Sequence, residues 1–209
     1  MRIPRILLAD DHPVMLDGMR ALLAPYYEIS GTVADGRDVV HMALRLKPDL
    51  IVMDVAMPLL NGVDAAIQIR QSLPEILLVF VTMHSSSATI KAAFEAGATG
   101  YVLKSGGIKE LPIAVESVLS GRVYVSLSAS TQHLKRHQDP EGGAVHNLSM
   151  RERETLQLIA EGKAAKEIAY IMGISPKTIA FHRSNLRKKL GVRSTAELTK
   201  RAIKLTLIQ

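Results

Sequence analysis

The chain has no cysteine among its 209 residues. This absence excludes disulfide bonds, thiolate zinc sites and iron–sulfur centres, and it fits a reducing compartment such as the cytoplasm. No apolar run reaches roughly 18 residues, the length that crosses a membrane, and the first residues lack the apolar core of a secretory signal. We therefore expect a cytoplasmic protein that does not contact the membrane.

Acidic residues are scarce at one end of the chain. Residues 1–121 hold 10 Lys+Arg against 13 Asp+Glu, whereas residues 147–209 hold 13 Lys+Arg against 5 Asp+Glu. The length suits one ordinary domain and a smaller second one. A strongly basic segment behind an acidic one therefore predicts two domains, the second with a polyanion as its partner.

Short apolar segments alternate with amphipathic ones over the first 120 residues. We predict strands at Ile3–Ala9, Glu28–Ala34, Leu50–Asp54, Ile76–Thr82 and Gly100–Leu103. Helical spacing of apolar residues follows each strand, at Val14–Leu23, Arg37–Leu46, Gly62–Ser72, Ser86–Ala96 and Ile108–Ser120. Five such units predict an α/β domain, a five-stranded doubly wound parallel sheet with helices on both faces.

Three aspartates follow two of the predicted strands. Asp10 and Asp11 come directly after the first strand, and Asp54 closes the third. Ligands of an open α/β sheet bind beyond the carboxyl ends of its strands. Carboxylates gathered there would repel one another by up to about 4 kcal/mol per close pair at an effective dielectric near 20. A hard cation relieves that repulsion, so the pattern predicts a Mg²⁺ site beside a nucleophilic carboxylate.

Asp11, and two polar residues at the ends of later strands, Thr82 and Lys104, also have an ordinary structural interpretation. Asp11 before His12-Pro13 is suited to cap the next helix. Thr82 is equally suited to close a strand, and Lys104 to be a solvated lysine. Taken together with Asp10 and Asp54, however, the group favours the metal and nucleophile interpretation.

Five motifs occur in order along this part of the chain. They are Asp10-Asp11, Asp54 with Met57-Pro58 and Gly62 behind it, Thr82, Tyr101-Val102-Leu103, and Lys104. In this order and spacing the segment resembles the receiver domain of bacterial two-component response regulators. The resemblance implies that a sensor histidine kinase or a small phosphodonor phosphorylates the chain at Asp54.

The resemblance also implies a role for each of the other motif residues. Asp10, Asp11 and Asp54 would hold Mg²⁺, with the backbone carbonyl of Ala56 as a further ligand. Lys104 would pair with the phosphoryl oxygens, and the Thr82 hydroxyl would hydrogen-bond the same group. Tyr101 would swing inward as Thr82 moves, which would carry the signal away from the site.

Helix start and stop signals punctuate the last 63 residues. Capping boxes fit at residues 149–152 and 194–197, Ser175-Pro176 fits a helix start, and Gly191 fits a helix end. These signals predict helices near Met150–Glu161, Ala164–Met172, Pro176–Leu190 and Thr195–Leu207. Before them the pattern breaks down into a polar connector with a short helix near Ser128–Arg136 and flexible residues around 139–143.

The spacing of the second and third of these helices, across Gly173-Ile174-Ser175, is that of a helix-turn-helix. Leu148-Ser149-x-Arg151-Glu152, Lys166-Glu167-Ile168-Ala169 and Thr178-Ile179-x-x-His182 are similar to motifs of the LuxR-type DNA-binding domain. Together with a receiver, this domain is typical of the NarL/FixJ family of response regulators. The resemblance implies promoter DNA as a partner and a homodimer when phosphorylated.

Helical geometry sorts the third of these helices into two faces. Ile179, Leu186 and Leu190 should bury against the bundle. The family reads bases at the positions of Ala180, Phe181 and Ser184, and since two of these three are apolar we expect contact with thymine methyls. Phosphate contacts are expected from the polar residues around them, which are Lys177, Thr178, His182, Arg183, Arg187 and Lys188.

The sequence thus predicts a receiver domain at 1–122, a linker at 123–146 and a DNA-binding domain at 147–209. It would act as a phosphorylation-activated transcriptional regulator, with no catalysis beyond its own aspartyl phosphorylation and dephosphorylation. The alternative is a DNA-binding regulator with a phosphate-independent receiver. A haloacid-dehalogenase-type hydrolase fits less well, because its nucleophile follows the first strand. A flavodoxin-like FMN binder would not carry an acidic phosphate loop.

The last predicted helix leaves two interpretations open. Leu198, Ala202 and Leu205 form an apolar stripe along it. Such a stripe suits the core of the domain and a dimer contact equally.

Overall fold

The structure is a computed structural model, and it describes residues 2–106, 108–126 and 148–208. The strands are β1 (Arg5–Ala9), β2 (Glu28–Val33), β3 (Leu50–Met53), β4 (Leu77–Thr82), β5 (Gly100–Leu103) and β6 (Tyr124–Val125). The helices are α1 (Pro13–Leu23), α2 (Gly36–Leu46), α3 (Gly62–Ser72), α4 (Ser87–Glu95), α5 (Leu111–Leu119), α6 (Met150–Ala160), α7 (Ala165–Met172), α8 (Pro176–Leu190) and α9 (Thr195–Lys204). The helix predicted near Ser128–Arg136 lies outside the described residues.

The strands form one parallel sheet in the order β2-β1-β3-β4-β5-β6. The five predicted strands are confirmed, and β6 is an addition at the edge, where Tyr124 pairs with Gly100. The sheet therefore extends two residues into the predicted linker. Strand order reverses between β1 and β3, which opens a crevice beyond the carboxyl ends of these two strands.

Alternate residues of the central strands serve two separate apolar cores. Ile51 and Met53 of β3 pack into the cluster on one face of the sheet, and Leu50 and Val52 into the cluster on the other. All four are fully buried. Both faces of β3 are thus covered by helices, so the polar residue that follows it is held at a fixed point of the sheet edge.

Two glycines allow the loop at residues 54–61 to fold closely over this edge. A Cβ atom on Gly62 would lie 2.1 Å from the Asp54 carbonyl oxygen, and one on Gly36 would lie 1.7 Å from the Leu60 carbonyl oxygen. No side chain can be accommodated at such distances from backbone atoms. Glycine at these positions is what lets the loop run back against α2 and α3.

The C-terminal helices pack around a core of their own, as predicted. Leu156, Ile168, Ile179 and Leu198 are fully buried within it. Ser149 and Glu152 form the predicted capping box of α6. At α9, Ser194 Oγ accepts from the Glu197 amide as predicted, and the Glu197 carboxylate accepts from the Arg193 amide at 2.7 Å.

The apolar stripe of α9 belongs to this core. Leu198 and Ala202 are fully buried, and Leu205 packs against the same cluster. Of the two interpretations open for the stripe, the core one is therefore confirmed. Within the described ranges no helix is long and apolar enough to cross a membrane.

Candidate functional site at the carboxyl edge of the sheet and on the α8 helix

The parallel register of β1 and β3 brings two aspartates side by side. Ala9 pairs with Met53, and the Asp54 amide donates to the Ala9 carbonyl at 3.0 Å. Asp10 and Asp54 are the next residues of these two strands, and both are almost fully buried. The sequence prediction that the aspartates meet at one edge is therefore confirmed in the structure.

Lys104 lies directly after β5 and reaches across the edge to both aspartates. Its Nζ atom lies 2.5 Å from Asp54 Oδ2 and 2.7 Å from Asp10 Oδ2, and its side chain is only 7% exposed. Burial lowers the pKa of Lys104, but the charge of Asp54 and the hydrogen bonds to both carboxylates outweigh burial and raise it overall. In this structure the ammonium group of Lys104 balances the buried negative charges of Asp10 and Asp54.

The second oxygen of Asp54 is held by backbone groups. Asp54 Oδ1 accepts hydrogen bonds from the Val55 amide at 2.6 Å and from the Ala56 amide at 3.3 Å. The carboxylate is thus fixed in orientation by the first two residues of the loop that follows it. A movement of the loop backbone would change the orientation of the Asp54 carboxylate through the Val55 and Ala56 amides.

Asp10, Asp11 and His12 form the one group of potential metal ligands found in the part of the chain that the structure describes. Their ligand atoms lie within 4.8 Å of one another. His12 Nδ1 contacts Asp11 Oδ1 at 2.8 Å and Asp10 Oδ1 at 3.3 Å. The metal site predicted from the sequence does not include His12.

The carboxylates of this group fit a hard cation. Asp10 Oδ2 and Asp11 Oδ1 are enclosed, and they lie 2.7 Å from Lys104 Nζ and 2.8 Å from His12 Nδ1, respectively. Neighbouring carboxylates repel one another, and a bound cation relieves that repulsion. Oxygen ligands are those that Mg²⁺ prefers.

Thr82 and Tyr101 lie beside the pair of aspartates on β4 and β5. Both are fully buried, and Thr82 Oγ1 accepts a hydrogen bond from the His84 amide at 3.3 Å. The Tyr101 hydroxyl donates to the His84 carbonyl at 2.7 Å, so its ring already points inward here. Burial and the nearby charge of Asp54 raise the pKa of Tyr101, while burial lowers that of His84.

Replacing Lys104 with glutamine is expected to lower the free energy of unfolding by about 3 kcal/mol at neutral pH. The change would leave two buried carboxylates without their shared cation, which is the costly way to break a buried ion pair. Urea unfolding followed by circular dichroism measures it. The raised pKa means that the wild-type contribution is fully present below the ordinary lysine pKa and is lost only as alkaline pH passes the raised value.

Lys91→Gln is the matched control for this prediction. The pair of Lys91 with Glu95 spans 3.7 Å on an exposed helix surface, so its loss should change stability by less than about 0.5 kcal/mol. Equal losses in the two variants would contradict the role given to Lys104.

The α8 helix has the two faces that its sequence predicts. Ile179, Leu186 and Leu190 are buried against the domain core. The opposite face is open, and Phe181 is 63% exposed. The predicted DNA contacts Lys177, Ala180, Ser184, Arg187 and Lys188 are exposed with it, and Thr178, His182 and Arg183 are half-buried.

One basic residue of α8 has a structural task instead. Lys189 Nζ lies 2.7 Å from Glu152 Oε2 of α6, and this contact lowers the pKa of Glu152 against the effect of its burial. The ion pair ties α8 to the capping box of α6. The sequence predicts DNA contacts for Arg187 and Lys188 but not for Lys189. The ion pair with Glu152 is a structural reason for this difference.

Two families match this chain, over two separate segments. Residues 6–116 match the family described as response regulator receiver domain, and residues 146–202 match the bacterial regulatory proteins of the luxR family. The transcriptional regulatory protein MctR of Rhizobium johnstonii is 37% identical, with 95% of this chain and 92% of MctR covered. The oxygen regulatory protein NreC of Staphylococcus aureus is 32% identical, with 98% and 99% covered.

Solved structures of one response regulator resemble the whole chain. RcsB of Salmonella typhimurium superposes with a TM-score of 0.68 at 27% identity, covering 99% of this chain and 100% of RcsB. RcsB of Salmonella enterica serovar Typhimurium bound to a promoter, in the presence of the phosphomimetic BeF₃⁻, superposes with a TM-score of 0.64 at 27% identity. That match covers 99% of this chain and 98% of RcsB.

Proposed function

The chain belongs to the transcriptional response regulators of two-component systems that join a receiver domain to a LuxR-type DNA-binding domain, and from this we propose that Asp54 is its phosphorylation site and α8 its DNA-binding surface. The observation that carries the proposal is the contact of Lys104 with both Asp54 and Asp10 at the carboxyl edge of the sheet. The phosphodonor is a sensor histidine kinase or a small acyl phosphate. The chemistry of the chain is confined to its own aspartyl phosphorylation and dephosphorylation.

Asp10, Asp11, Asp54 and the backbone carbonyl of Ala56 would hold Mg²⁺. The metal site is supported by the clustering of the Asp10 and Asp11 ligand atoms within 4.8 Å of each other, since carboxylate oxygens are the ligands that Mg²⁺ prefers. When bound, Mg²⁺ would offset the repulsion between these carboxylates and an incoming phosphate.

Asp54 acts as the nucleophile of the transfer. A bond forms between its Oδ atom and phosphorus, while the P–N bond of a phosphohistidine, or the P–O bond of acetyl phosphate, breaks and the leaving group keeps the electron pair. Lys104 is placed to follow the phosphoryl oxygens, because it already contacts the accepting carboxylate. The Thr82 hydroxyl donates a hydrogen bond to the same oxygens and moves as it does so. Tyr101 responds to this movement of Thr82, because both side chains are hydrogen-bonded to the backbone of His84.

The α8 helix binds promoter DNA in the major groove. Ala180 and Phe181 contact thymine methyls and Ser184 a base edge, which gives sequence preference. The phosphates are bound by the polar residues around them, Lys177, Thr178, His182, Arg183, Arg187 and Lys188, which supply most of the affinity. Phe181 is accessible for this contact, because it lies exposed on the open face of α8.

The chain works in the cytoplasm as three segments: a receiver at 1–122, a linker at 123–146 and a DNA-binding domain at 147–209. Phosphorylation shifts the receiver between two states and favours a homodimer on DNA. A local charge change that biases a two-state element is the general form of such a switch.

Selection from a random pool of duplex DNA tests the whole proposal. The full chain, treated with acetyl phosphate and Mg²⁺, is expected to enrich a defined sequence strongly, and the Asp54→Asn chain to enrich it weakly under the same treatment. Equal enrichment by both proteins would favour the phosphate-independent alternative. No enriched sequence with either protein would contradict the DNA-binding role.

A further inference from the structure

One helix of the DNA-binding domain holds the loop that follows Asp54. The Gln157 side chain of α6 donates from Nε2 to the Met57 carbonyl at 2.8 Å and accepts at Oε1 from the Asn61 amide at 2.8 Å. One turn further along α6, Glu161 accepts from the Leu59 amide at 3.0 Å. The backbone groups of three alternate loop residues are thus bound by two side chains on one face of α6.

The contacts of Gln157 with the loop are buried, whereas the contact of Glu161 with Leu59 is half-buried. Gln157 is completely buried and Asn61 nearly so. Gln157 Nε2 also donates to Glu161 Oε1 at 2.9 Å, and Asn61 Nδ2 lies 3.3 Å from Gln157 Oε1. Buried polar groups that lose such hydrogen bonds cost free energy. The DNA-binding domain therefore holds this receiver loop firmly while the two domains are in contact.

Leu59, at the centre of the loop, has an unusual backbone conformation. Its φ angle is +65°, in the left-handed region that residues other than glycine rarely adopt. Its side chain packs against the apolar core of the DNA-binding domain. A strained residue persists where its surroundings fix it. Here the fixing contacts come from the receiver, where the Leu60 amide donates to the Pro58 carbonyl at 2.7 Å, and from the other domain, where Glu161 accepts from the Leu59 amide.

The same loop is continuous with the phosphorylation site. Its first residues, Val55 and Ala56, donate their amides to Asp54 Oδ1, and the Gly62 amide closes it by donating to the Val55 carbonyl at 2.7 Å. A cleft of about 340 Å³ opens beside it. Asp11 and Ala56 of the receiver line one side of this cleft, and Glu161 and Lys163 of the DNA-binding domain line the other.

We propose that Gln157 and Glu161 are positioning residues for the Mg²⁺ site, because they hold the 54–61 loop with Ala56 beside Asp10 and Asp11. The inference rests on the proposed function, in which Ala56 supplies a metal ligand. A ligand site that is held in place before binding gains affinity, because less ordering remains to be done when the metal arrives. By linkage, Mg²⁺ binding strengthens the contact between the domains to the same degree.

Calorimetric titration of MgCl₂ into the unphosphorylated full chain tests this. Gln157→Leu, which keeps the volume and removes the hydrogen bonds of Gln157 to the Met57 carbonyl and the Asn61 amide, is expected to weaken Mg²⁺ binding about fivefold. Glu161→Leu should weaken it in the same direction, and Glu161→Gln, which keeps an acceptor for the Leu59 amide, should restore wild-type affinity. Thr206→Ala is the matched control, because Thr206 contacts Thr89 across the domain boundary, at 3.3 Å, without touching the loop.

Amide hydrogen exchange gives a second readout that does not depend on metal affinity. The Leu59 and Asn61 amides are expected to exchange slowly in the wild type, more slowly still with Mg²⁺, and fast in Gln157→Leu. Folded Leu variants with wild-type affinity for Mg²⁺ would overturn the inference alone. A wild-type chain that binds no Mg²⁺, or that binds it equally well as Asp11→Asn, would overturn the proposed metal site and this inference with it.

Discussion

Asp54→Asn is expected to abolish phosphorylation of the chain completely. Incubation of the wild-type protein with acetyl phosphate and Mg²⁺ should add one phosphoryl group to its intact mass, and the variant should gain none. Asparagine keeps the size of the side chain but offers a neutral amide oxygen, which is a far weaker nucleophile than the carboxylate. Removal of Mg²⁺ by a chelator should prevent the adduct in the wild type as well.

Asp35→Asn is the matched control for this experiment. Asp35 caps α2 by accepting from the Arg37 and Asp38 amides, and asparagine caps a helix equally well. This variant should therefore remain folded and gain the phosphoryl group. An adduct that persists in Asp54→Asn would mean that another residue is the acceptor. A wild-type chain that gains none, even from a cognate kinase, would support the phosphate-independent receiver.

The site at the sheet edge could be predicted because its signals are local. Asp10 and Asp54 each end a short apolar run, and the parallel topology then brings the ends of such runs to one edge. The same reasoning placed Lys104 after β5, and the structure brings its Nζ atom to both carboxylates. The two-residue strand β6 gave no such signal, since a pair of residues shows no periodicity.

The contact between the domains could not be predicted in this way. Gln157, which is fully buried, and Arg153 lie on a polar helix face that looks like a solvated one, and their partners stand about a hundred residues earlier. Arg153 Nε lies 2.9 Å from Asp64 Oδ1, and Arg37 pairs with Glu154. Only the fold brings such distant polar residues together, because nothing in their local spacing requires a partner.

The placement of this contact bears on how the DNA-binding surface is controlled. The receiver contacts α6 and the residues after α9, whereas Phe181 and Lys188 on α8 stay exposed. The proposed base-reading face is therefore accessible while the domains are in contact. With α8 as the proposed DNA-binding surface, we expect control of DNA binding to act on the relative placement of two DNA-binding domains, or on the stability of their contact with the receiver, rather than on direct cover of α8.

Because α8 is uncovered, its substitutions can be studied in the full chain. On the sequence enriched from the random pool, Lys188→Ala should weaken binding at all related sites alike and reduce the slope of log affinity against log salt by about 1. Phe181→Ala should instead leave the salt slope unchanged. It should lower the preference for thymine at one position by about 1 kcal/mol, because the ring no longer contacts the methyl group. Fluorescence anisotropy across a salt series measures both effects.

Lys189→Gln is the internal control, since it removes the neighbouring positive charge of the same helix. Lys189 is engaged with Glu152, and glutamine can still donate to that carboxylate, so the salt slope should stay at its wild-type value. A loss of sequence preference in Lys188→Ala together with intact preference in Phe181→Ala would reverse the assignment of these residues. In that case α8 would enter the groove rotated about its axis, with the lysine rather than the ring facing the bases.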